Sequence, residues 1–253
     1  MTYSASPRQN LLLAALPTSD FERLHPHLEL IWMPVGKTLH GPGDRLHYVY
    51  FPTTCIASLF CILDDGGGAD VAVIGNDGIV GIALFTGGES MPNNASVLSA
   101  GCAYRLHRKF IKDEFNRSGG RRSGVFNQLL LHYTQALLTQ MAQTSVCNQH
   151  HSLARRLCRL LLLSIDRSPS NELVMTQKLI AGTLGVRREG VTEAAMKLQA
   201  DGLIEYKRGH ITILNRAGLE ARACECYKVI RKEYDRLLPR QQPLRNARLL
   251  IGA

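Results

Sequence analysis

The sequence predicts an α+β protein with three parts: an N-terminal antiparallel β-roll, a long helix and a C-terminal winged helix-turn-helix unit. Short apolar runs alternate with turn residues between residues 28 and 107. Residues 124–152 contain no Asp, Glu, Lys or Arg. Residues 175–214 follow the order helix, turn, helix, hairpin. We therefore expect a roll domain over 1–123, a linking helix over 124–149 and a third domain over 150–253.

The first part of the chain has the spacing of short strands. A helical stretch over 10–25, interrupted by Pro17, comes before them. Turn residues such as Gly41-Pro42-Gly43-Asp44 and Asp64-Asp65-Gly66-Gly67-Gly68 separate the apolar runs. The predicted strands are Leu28–Met33, His47–Phe51, Cys55–Leu63, Ala69–Ile74, Ala95–Ala100 and Ala103–His107. Short strands at such regular spacing are typical of a small antiparallel roll.

The charge-free segment predicts one long helix that is buried on more than one side. Its apolar residues recur at steps of three and four: Phe126, Leu130, Tyr133, Leu137 and Met141. We expect one side of the helix to pack on the roll and the other on a second copy of the chain, and we assign this stripe to a dimerisation helix. The alternative is a core helix of a monomer.

Two further helical segments flank the winged unit. Residues 152–166 place leucines on the inner face and Arg155, Arg156 and Arg159 on the outer face. Residues 216–238 predict a single closing helix, and residues 241–253 a loose tail.

The winged unit itself has clear start and stop signals. Thr176 can cap the first helix, and Gly185 ends it. A second helix follows directly and ends at Gly202. Two short strands then surround Lys207-Arg208-Gly209. This layout is typical of a winged helix-turn-helix.

The outward side chains of this unit suit double-stranded DNA. Arg can donate two bonds to guanine and Glu can accept from cytosine, while basic residues hold phosphate. We expect base contacts from Arg187, Arg188, Glu189 and Thr192, and backbone contacts from Thr176, Gln177, Lys207, Arg208 and His210. Some helix-turn-helix proteins never touch DNA, so the motif alone does not decide the function.

The charge distribution favours DNA binding. Residues 1–149 carry 11 Lys+Arg and 11 Asp+Glu, whereas residues 150–253 carry 19 and 10, which accounts for the whole net charge of +9. A neutral sensor joined to a basic reader of a polyanion has this asymmetry. A basic surface kept for solubility would explain the total but not its segregation.

The remaining composition predicts a cytoplasmic protein. Seven scattered cysteines, an odd number, fit reduced thiols better than a disulfide framework. Neither a secretory signal nor an uninterrupted apolar stretch of transmembrane length is present, so we expect no membrane partner.

This order of parts resembles the Crp/Fnr family of bacterial transcription regulators. The most specific match is Leu184-Gly185-Val186-Arg187-Arg188-Glu189-Gly190-Val191 within residues 176–204. The resemblance implies a homodimer that reads a palindromic DNA site, with RNA polymerase as a further candidate partner. It places Arg188 and Glu189 where relatives contact base edges. Glu193 stands where some relatives carry a base-reading Arg, so we expect a different preferred half-site.

The roll departs from the cyclic-nucleotide-binding members of that family. Those relatives carry a Gly-Glu pair and an Arg followed by Ser or Thr, where this chain has Gly81, Ile82, Asn94 and Ala95. Without the guanidinium, a charged contact to phosphate is lost. The resemblance therefore implies a cyclic-nucleotide-binding-like fold that disfavours cyclic nucleotides. A ligand-gated switch is the alternative function, with an effector pocket for another small metabolite at Gly81, Ile82, Asn94 and Ala95.

Other chemistries have weaker support, and we predict no cofactor, no metal and no enzyme activity. An iron–sulfur centre of the oxygen-sensing branch needs clustered N-terminal cysteines, and none precedes Cys55. A haem ligand stays open, because several histidines are available: His25, His27, His40, His47 and His107. Cys224-Glu225-Cys226 has no matching second pair, so we expect it to pack against the winged unit rather than bind zinc. A metal-dependent cupin enzyme lacks its histidine pattern.

Overall fold

The computed structural model describes residues 6–117 and 124–238, and its N-terminal part is an antiparallel roll. One sheet has the order β1-β7-β3 and the other β2-β6-β4-β5. The strands are β1 (Leu28–Met33), β2 (Thr38–His40), β3 (Tyr48–Pro52), β4 (Ile56–Ile62), β5 (Gly68–Ile74), β6 (Asn94–Ser99) and β7 (Gly101–His107). The predicted roll is confirmed. Strand β2 was not predicted, because three residues are too few to show alternation.

Short helices close the ends of the roll. They are α1 (Leu11–Ala14), α2 (Thr18–Leu24), α3 (Ala83–Thr86) and α4 (Arg108–Arg117), with single 3-10 turns at Pro7–Gln9 and His25–His27. The Asn10 side chain caps α1 by accepting from the backbone of Leu12 and Leu13. Its amide also donates to the carbonyls of Pro52 and Gly78, which fixes the N-terminal segment on the roll.

The long helix α5 (Val125–His150) has the predicted length, but its apolar stripe lies inside this chain. Phe126, Leu130, Tyr133 and Leu137 are fully buried, and Met141 is half-buried. This stripe is therefore the side of α5 that packs within the chain, and the assignment of α5 as a dimerisation helix stays a prediction. Apolar periodicity identifies a buried face without identifying the neighbour that buries it. Among the residues described, no helix is both long and apolar enough to cross a membrane.

The C-terminal part confirms the winged helix-turn-helix. A third strand, β8, extends the hairpin into a sheet of order β8-β10-β9. The elements are α6 (Leu153–Asp166), β8 (Glu172–Val174), α7 (Gln177–Leu184), α8 (Arg188–Ala200), β9 (Ile204–Lys207), β10 (His210–Ile213), α9 (Arg216–Arg222) and α10 (Glu225–Leu237).

The prediction of one closing helix over 216–238 is wrong. Ala223 and Cys224 have extended backbone angles, so α9 ends at Arg222 and α10 begins at Glu225. Neither a glycine nor a proline marks this break in the sequence. The predicted tail over 241–253 lies outside the described residues.

The outer face of α6 differs from the prediction at two of its three arginines. Arg155 is exposed as expected. Arg159 is instead buried, and its Nη1 donates to Thr144 Oγ1 on α5 at 2.8 Å. Arg156 is half-buried and donates to the carbonyl of Leu184. The inner face is broader than the leucine pattern indicates, because α6 packs on β5 and α10 as well as on the winged unit.

Arg167 joins four parts of the structure at one buried guanidinium. Its Nε donates to Asp77 Oδ2 on the roll at 2.7 Å, and its Nη2 donates to Gln140 Oε1 on α5 at 2.8 Å. The guanidinium carbon lies 4.5 Å from the centroid of the Tyr234 ring on α10. The Arg167 carbonyl also accepts from the backbone of Asn76 at 3.1 Å. The end of α6 is therefore held against the roll by charge as well as by packing.

The turn between α7 and α8 rests on the β4–β5 hairpin. Gly185 ends α7 in the left-handed region, with φ +62°. A Cβ added there would lie 2.7 Å from the Gly68 carbonyl oxygen and 3.0 Å from Ala69 Cβ. This close backbone approach requires glycine and brings the helix-turn-helix against the roll.

Substitution of Asp77 tests the buried ion pair. D77A leaves the Arg167 guanidinium buried without its anion, so we expect urea unfolding followed by circular dichroism to show a loss of about 3–5 kcal/mol. The double variant D77A/R167M should recover much of this loss, because neither charge remains. R236A removes an exposed pair with Glu233 and should cost about 0–1 kcal/mol. Equal losses for D77A and R236A would contradict the assigned role.

Substitution of Gly185 tests the contact with the hairpin. Gly202 provides a matched control, because it also ends a helix in the left-handed region, with φ +67°, but has nothing within 4 Å of an added Cβ. G202A should cost about 1 kcal/mol from backbone strain alone. G185A should cost clearly more, since the methyl group also meets the hairpin backbone. Equal thermal destabilisation of the two variants would show that the contact adds no stability.

Candidate nucleic-acid interface

The helix-turn-helix is positioned by a capped first helix and a buried inner face. Thr176 Oγ1 accepts from the backbone of Leu179 at 3.2 Å and so caps α7. The Val186 backbone bonds the carbonyl of Ala181 at 3.0 Å across the turn. Val191 and Leu198 on α8 are fully or almost fully buried. These contacts fix α8 with its N-terminus and outer face exposed.

The predicted base-reading residues lie together at the start of α8. Arg187 is its N-cap, followed by Arg188 and Glu189, and all three are exposed. The N-terminal end of a helix carries partial positive charge, which adds to the two guanidinium groups. Glu189 lies in the first turn of the helix, where a carboxylate is stabilised by the same dipole. The structure thus presents one acceptor and two forked donors at a single exposed helix end.

Thr192 links the two helices of the motif. Its hydroxyl lies 3.0 Å from Gln177 Oε1 on α7 and 3.0 Å from the Arg188 carbonyl. A hydroxyl has one proton, so these two acceptors share it. Thr192 and Gln177 are each half-buried, which leaves part of both side chains at the surface. The predicted base contact and the predicted backbone contact are therefore neighbours in space.

The hairpin tip carries the other predicted backbone residues. Arg208 and Gly209 have φ values of +48° and +86°, which makes a two-residue turn between β9 and β10. Lys207 pairs with Glu205, and His210 Nδ1 lies 2.7 Å from Glu172 Oε1. Arg208 is exposed at the tip, where its guanidinium can reach a phosphate.

Glu193 places a negative charge on the outer face of α8. Its Oε1 accepts from Lys197 Nζ at 2.7 Å. This hydrogen bond lowers the pKa of the Glu193 carboxyl, which therefore stays ionised at neutral pH. An ionised carboxylate at this position accepts hydrogen bonds but cannot donate to guanine.

The four residues expected around an effector have different surroundings. Ala95 has no exposed surface and pairs with Leu59 inside the sheet, so its side chain faces protein on every side. Gly81 has φ +101°, and a Cβ added there would lie 3.2 Å from the Tyr48 carbonyl. Ile82 and Asn94 are half-buried. The effector pocket at these four positions stays a prediction.

A nearby basic cluster already holds a carboxylate of this chain. Glu89 is ion-paired with Lys112 and lies 3.3 Å from Arg45 and 3.6 Å from Arg108. These contacts, led by the hydrogen bond from Lys112, lower the pKa of Glu89. Glu89 thus offsets part of the positive charge of this cluster and occupies the position between its basic side chains.

A cleft of about 720 Å³ lies between the roll and the helix-turn-helix. Ser58, Asp70 and Ser96 line it from the roll, while Thr176 and Arg187 line it from the opposite side. Burial raises the pKa of Asp70 well above its usual range. Sequence reasoning missed this cleft because its walls come from segments that lie far apart along the chain.

A second group of polar residues gathers where α5 meets α10. Cys147 Sγ lies 3.4 Å from Cys224 Sγ, and Cys226 Sγ lies 3.6 Å from His151 Nδ1. The hydrogen bond between Cys147 and Cys224 lowers the pKa of Cys224 and raises that of Cys147. The expectation that Cys224 and Cys226 lack a matching second pair is wrong. The available signal was Cys147-x-x-x-His151, which places two ligand-type residues one helical turn apart.

Comparison with known proteins agrees with this geometry. Residues 155–222 match the family described as the Crp-like helix-turn-helix domain. None of the curated proteins matches the sequence.

Solved structures resemble the chain over most of its length. The c-di-GMP-responsive global regulator CLP of Xanthomonas campestris is 17% identical, with a TM-score of 0.59, and the match covers 78% of this chain and 99% of that one. A CRP-family transcriptional regulator from Thermus thermophilus is 16% identical, with a TM-score of 0.60, and the match covers 77% of this chain and 96% of that one. A CRP/FNR-family regulator from the same organism is 20% identical, with a TM-score of 0.54, and the match covers 77% of this chain and 98% of that one.

The described residues therefore form a winged helix-turn-helix whose recognition-type helix has an exposed, basic N-terminal end. Residues 155–222 belong to the Crp-like helix-turn-helix domain family, and the chain has the fold of the Crp/Fnr regulators. The proteins that it resembles are named as regulators rather than enzymes. The resemblance inferred from the sequence is thereby confirmed.

Proposed function

We propose that the protein regulates transcription as a homodimer that reads a palindromic DNA site. The observation that carries this proposal is the exposed start of α8, where Arg187, Arg188 and Glu189 lie side by side. A recognition helix enters the major groove with its N-terminal residues against base edges. The positive charge of residues 150–253 supplies the long-range attraction to DNA.

The base-reading set has a defined hydrogen-bond chemistry. Arg187 and Arg188 can each donate two bonds to guanine O6 and N7, whereas Glu189 can accept from cytosine N4. Thr192 lies one turn along the same face and is held by Gln177. Thr176, Gln177, Lys207, Arg208 and His210 would bond phosphates on either side of the groove and fix the register of the helix.

A dimer through α5 is supported by the exposed face of this helix, which lies apart from the buried stripe. Exposed, uncharged residues recur there at alternating steps of three and four, which is the spacing of a two-helix seam. Leu131 is 56% exposed and Leu138 is 61% exposed. The seam consists of Gln128, Leu131, Gln135, Leu138, Ala142, Ser145 and Gln149, all of which are exposed. Two such seams could pack against each other and bury both leucines.

The dimer fixes the geometry of the site on DNA. Two recognition helices related by a twofold axis would enter major grooves about 34–36 Å apart, one helical turn of B-DNA. The half-sites should therefore be inverted repeats. A regulator of this kind would act on the chromosome in the cytoplasm and would influence RNA polymerase from its bound site.

A ligand-gated switch is the second candidate function. The cleft between the roll and the helix-turn-helix favours it, because Thr176 and Arg187 of the proposed DNA interface also line that cleft. A small molecule bound there would change the position of DNA-contacting side chains directly. Ser58, Asp70 and Ser96 offer hydrogen bonds to a polar ligand other than a cyclic nucleotide.

Selection of DNA from a randomised pool tests both functions. Purified protein should enrich a palindromic motif, and the enrichment should be equal with and without cyclic AMP. Enrichment that requires cyclic AMP would contradict the assignment of the roll. If folded, dimeric protein enriched no motif, DNA binding without a ligand would be contradicted. That result would favour the ligand-gated switch.

Replacement of Arg188 should reduce specificity rather than general affinity. R188A should weaken binding to the selected site by about 1–3 kcal/mol and relax one base position, because a bidentate base contact is lost. K207A should weaken binding to all sequences alike and lower the salt dependence, as loss of a phosphate contact does. K197A removes a similar charge further along α8 and is the control. Equal base preferences for R188A and wild type would contradict the assignment.

Replacement of Leu138 should separate the dimer. L138E would place an unpaired carboxylate in the seam, so the dimer dissociation constant should rise by about 100-fold or more in sedimentation experiments. L63E is the matched control, since Leu63 is 63% exposed but lies beyond β4 on the roll hairpin. A dimer that survives L138E but not L63E would place the interface elsewhere.

A further inference from the structure

We propose that Cys147, His151, Cys224 and Cys226 bind one zinc ion. Cys147 lies in the last turn of α5 and His151 is its C-cap, while Cys224 is the N-cap of α10 and Cys226 follows in its first turn. The four candidate ligand atoms all lie within 4.8 Å of one another. Three thiolates and one imidazole form a ligand set used by closed, structural zinc sites.

The distances fit a single tetrahedral ion. Zn–S bonds of about 2.3 Å and Zn–N bonds of about 2.0–2.1 Å place neighbouring ligand atoms roughly 3.4–3.8 Å apart. The Cys147–Cys224 sulfur separation is 3.4 Å, and the Cys226 Sγ to His151 Nδ1 separation is 3.6 Å. The largest separation between two of the four ligand atoms is up to 4.8 Å and must shorten by about 1 Å when the ion binds, which side-chain rotation can supply. The four atoms surround a volume for one ion rather than for an iron–sulfur cluster, which spreads its ligands over several irons.

The histidine is already oriented as a metal ligand. His151 Nδ1 faces Cys226, and its other ring nitrogen, Nε2, lies 3.3 Å from Glu225 Oε1. Donation from the second nitrogen to a carboxylate fixes the tautomer and ring orientation of zinc-bound histidines. Glu225 lies between the two cysteines of Cys224-Glu225-Cys226, so the same short segment supplies two ligands and the carboxylate.

The positive charges around the four residues suit a bound zinc ion. Zinc with three thiolates and a neutral imidazole has a net charge of −1. Arg159 is buried on α6 and acts electrostatically on Cys147 and Cys226, and Arg156 also acts on Cys147. Within the described part of the chain, Nε of Arg159 has no hydrogen-bond partner. Arg159 also acts electrostatically on Asp70 of the roll, and an anionic metal centre would add to the negative charge that surrounds this buried cation.

The burial of the ligands favours metal over simple packing or a disulfide. Cys147, Cys224 and Cys226 are each at most 3% exposed and form a small cluster separate from the main core. Apolar packing accounts for three cysteines but not for an aligned histidine with its carboxylate. A Cys147–Cys224 disulfide would likewise leave Cys226 and His151 without a role.

The ion would join two helices, α5 and α10, that both lie outside the matched domain. Helix α10 lies beyond the matched residues 155–222, and α5 lies before them. The chain passes from α5 to α6 at His151 and Ser152. A zinc ion would therefore clamp α10 to the hinge from which the DNA-binding domain leaves the long helix. This site does not depend on the proposed dimer or on the choice of DNA sequence.

Metal binding can be measured on the full-length, tag-free protein without any variant. After reduction and removal of metal with a chelator, titration with Zn²⁺ against a chromophoric competitor should show one tight equivalent per chain. Co²⁺ should give thiolate charge-transfer absorption together with the intense visible bands of tetrahedral coordination. Zinc should also raise the thermal unfolding midpoint, because the ligands are brought together only in the folded chain.

Variants then assign the ligands. C226S and H151Q should lose the tight equivalent, while C158S, on α6, and C61S, on the roll surface, should keep it. E225Q should keep the stoichiometry with zinc affinity about 10-fold lower, because the carboxylate only orients the histidine. Retention of the Co²⁺ thiolate spectrum by both C226S and H151Q would overturn the site.

Two results with the wild type would also overturn the proposal. One is the absence of a tight zinc equivalent in reduced, folded protein. The other is a Co²⁺ spectrum without thiolate absorption, which would place the metal at surface histidines. DNA binding by the metal-free protein would not affect either conclusion, so failure of the zinc site and failure of the proposed function can be told apart.

Discussion

The structure depends on how one buried positive charge is satisfied. Arg167 ends α6, and its guanidinium is enclosed by an aspartate from the roll, a glutamine from α5 and the ring of Tyr234 from α10. A buried guanidinium is costly unless all these partners stand in place together. The roll, the long helix α5 and the C-terminal domain are therefore held in one arrangement by a shared buried contact. Gly75 is part of the same constraint, since an added Cβ would lie 2.4 Å from Arg167 Cβ.

Local features were predictable because their signals lie close together in the sequence. The two helices and the hairpin of the winged helix-turn-helix follow from Thr176, Gly185 and Gly202, each of which caps or ends a helix. The exposure of Arg188 and Glu189 follows from helical periodicity alone. The strands of the roll were predictable from turn residues, except β2. Strand β8 of the winged helix-turn-helix was not predicted either. Both of these strands have only three residues, which is too short to show alternation.

Features that depend on distant partners were not predictable in the same way. The stripe that includes Tyr133 has the pattern of a buried face, but only the fold shows that this side packs on the roll, at Gly78 and Ile79, rather than on a second chain. Arg159 has the spacing of a surface residue, but the fold buries it and bonds it to Thr144 on α5. The break before α10 has no glycine or proline signal, and Cys147 and Cys224 become neighbours only through that break. In each case the sequence pattern predicts whether a side chain is buried or what it can bond, but it does not identify the distant residue that contacts it.

The contact between Gly185 and the β4–β5 hairpin limits how these domains can be exchanged. The turn between α7 and α8 meets the backbone of Gly68 with no room for a side chain between them. A different helix-turn-helix joined to this roll would fit only if it brought a glycine to the turn and the β4–β5 hairpin kept its length. The roll and the helix-turn-helix must therefore be exchanged, or engineered, as a matched pair.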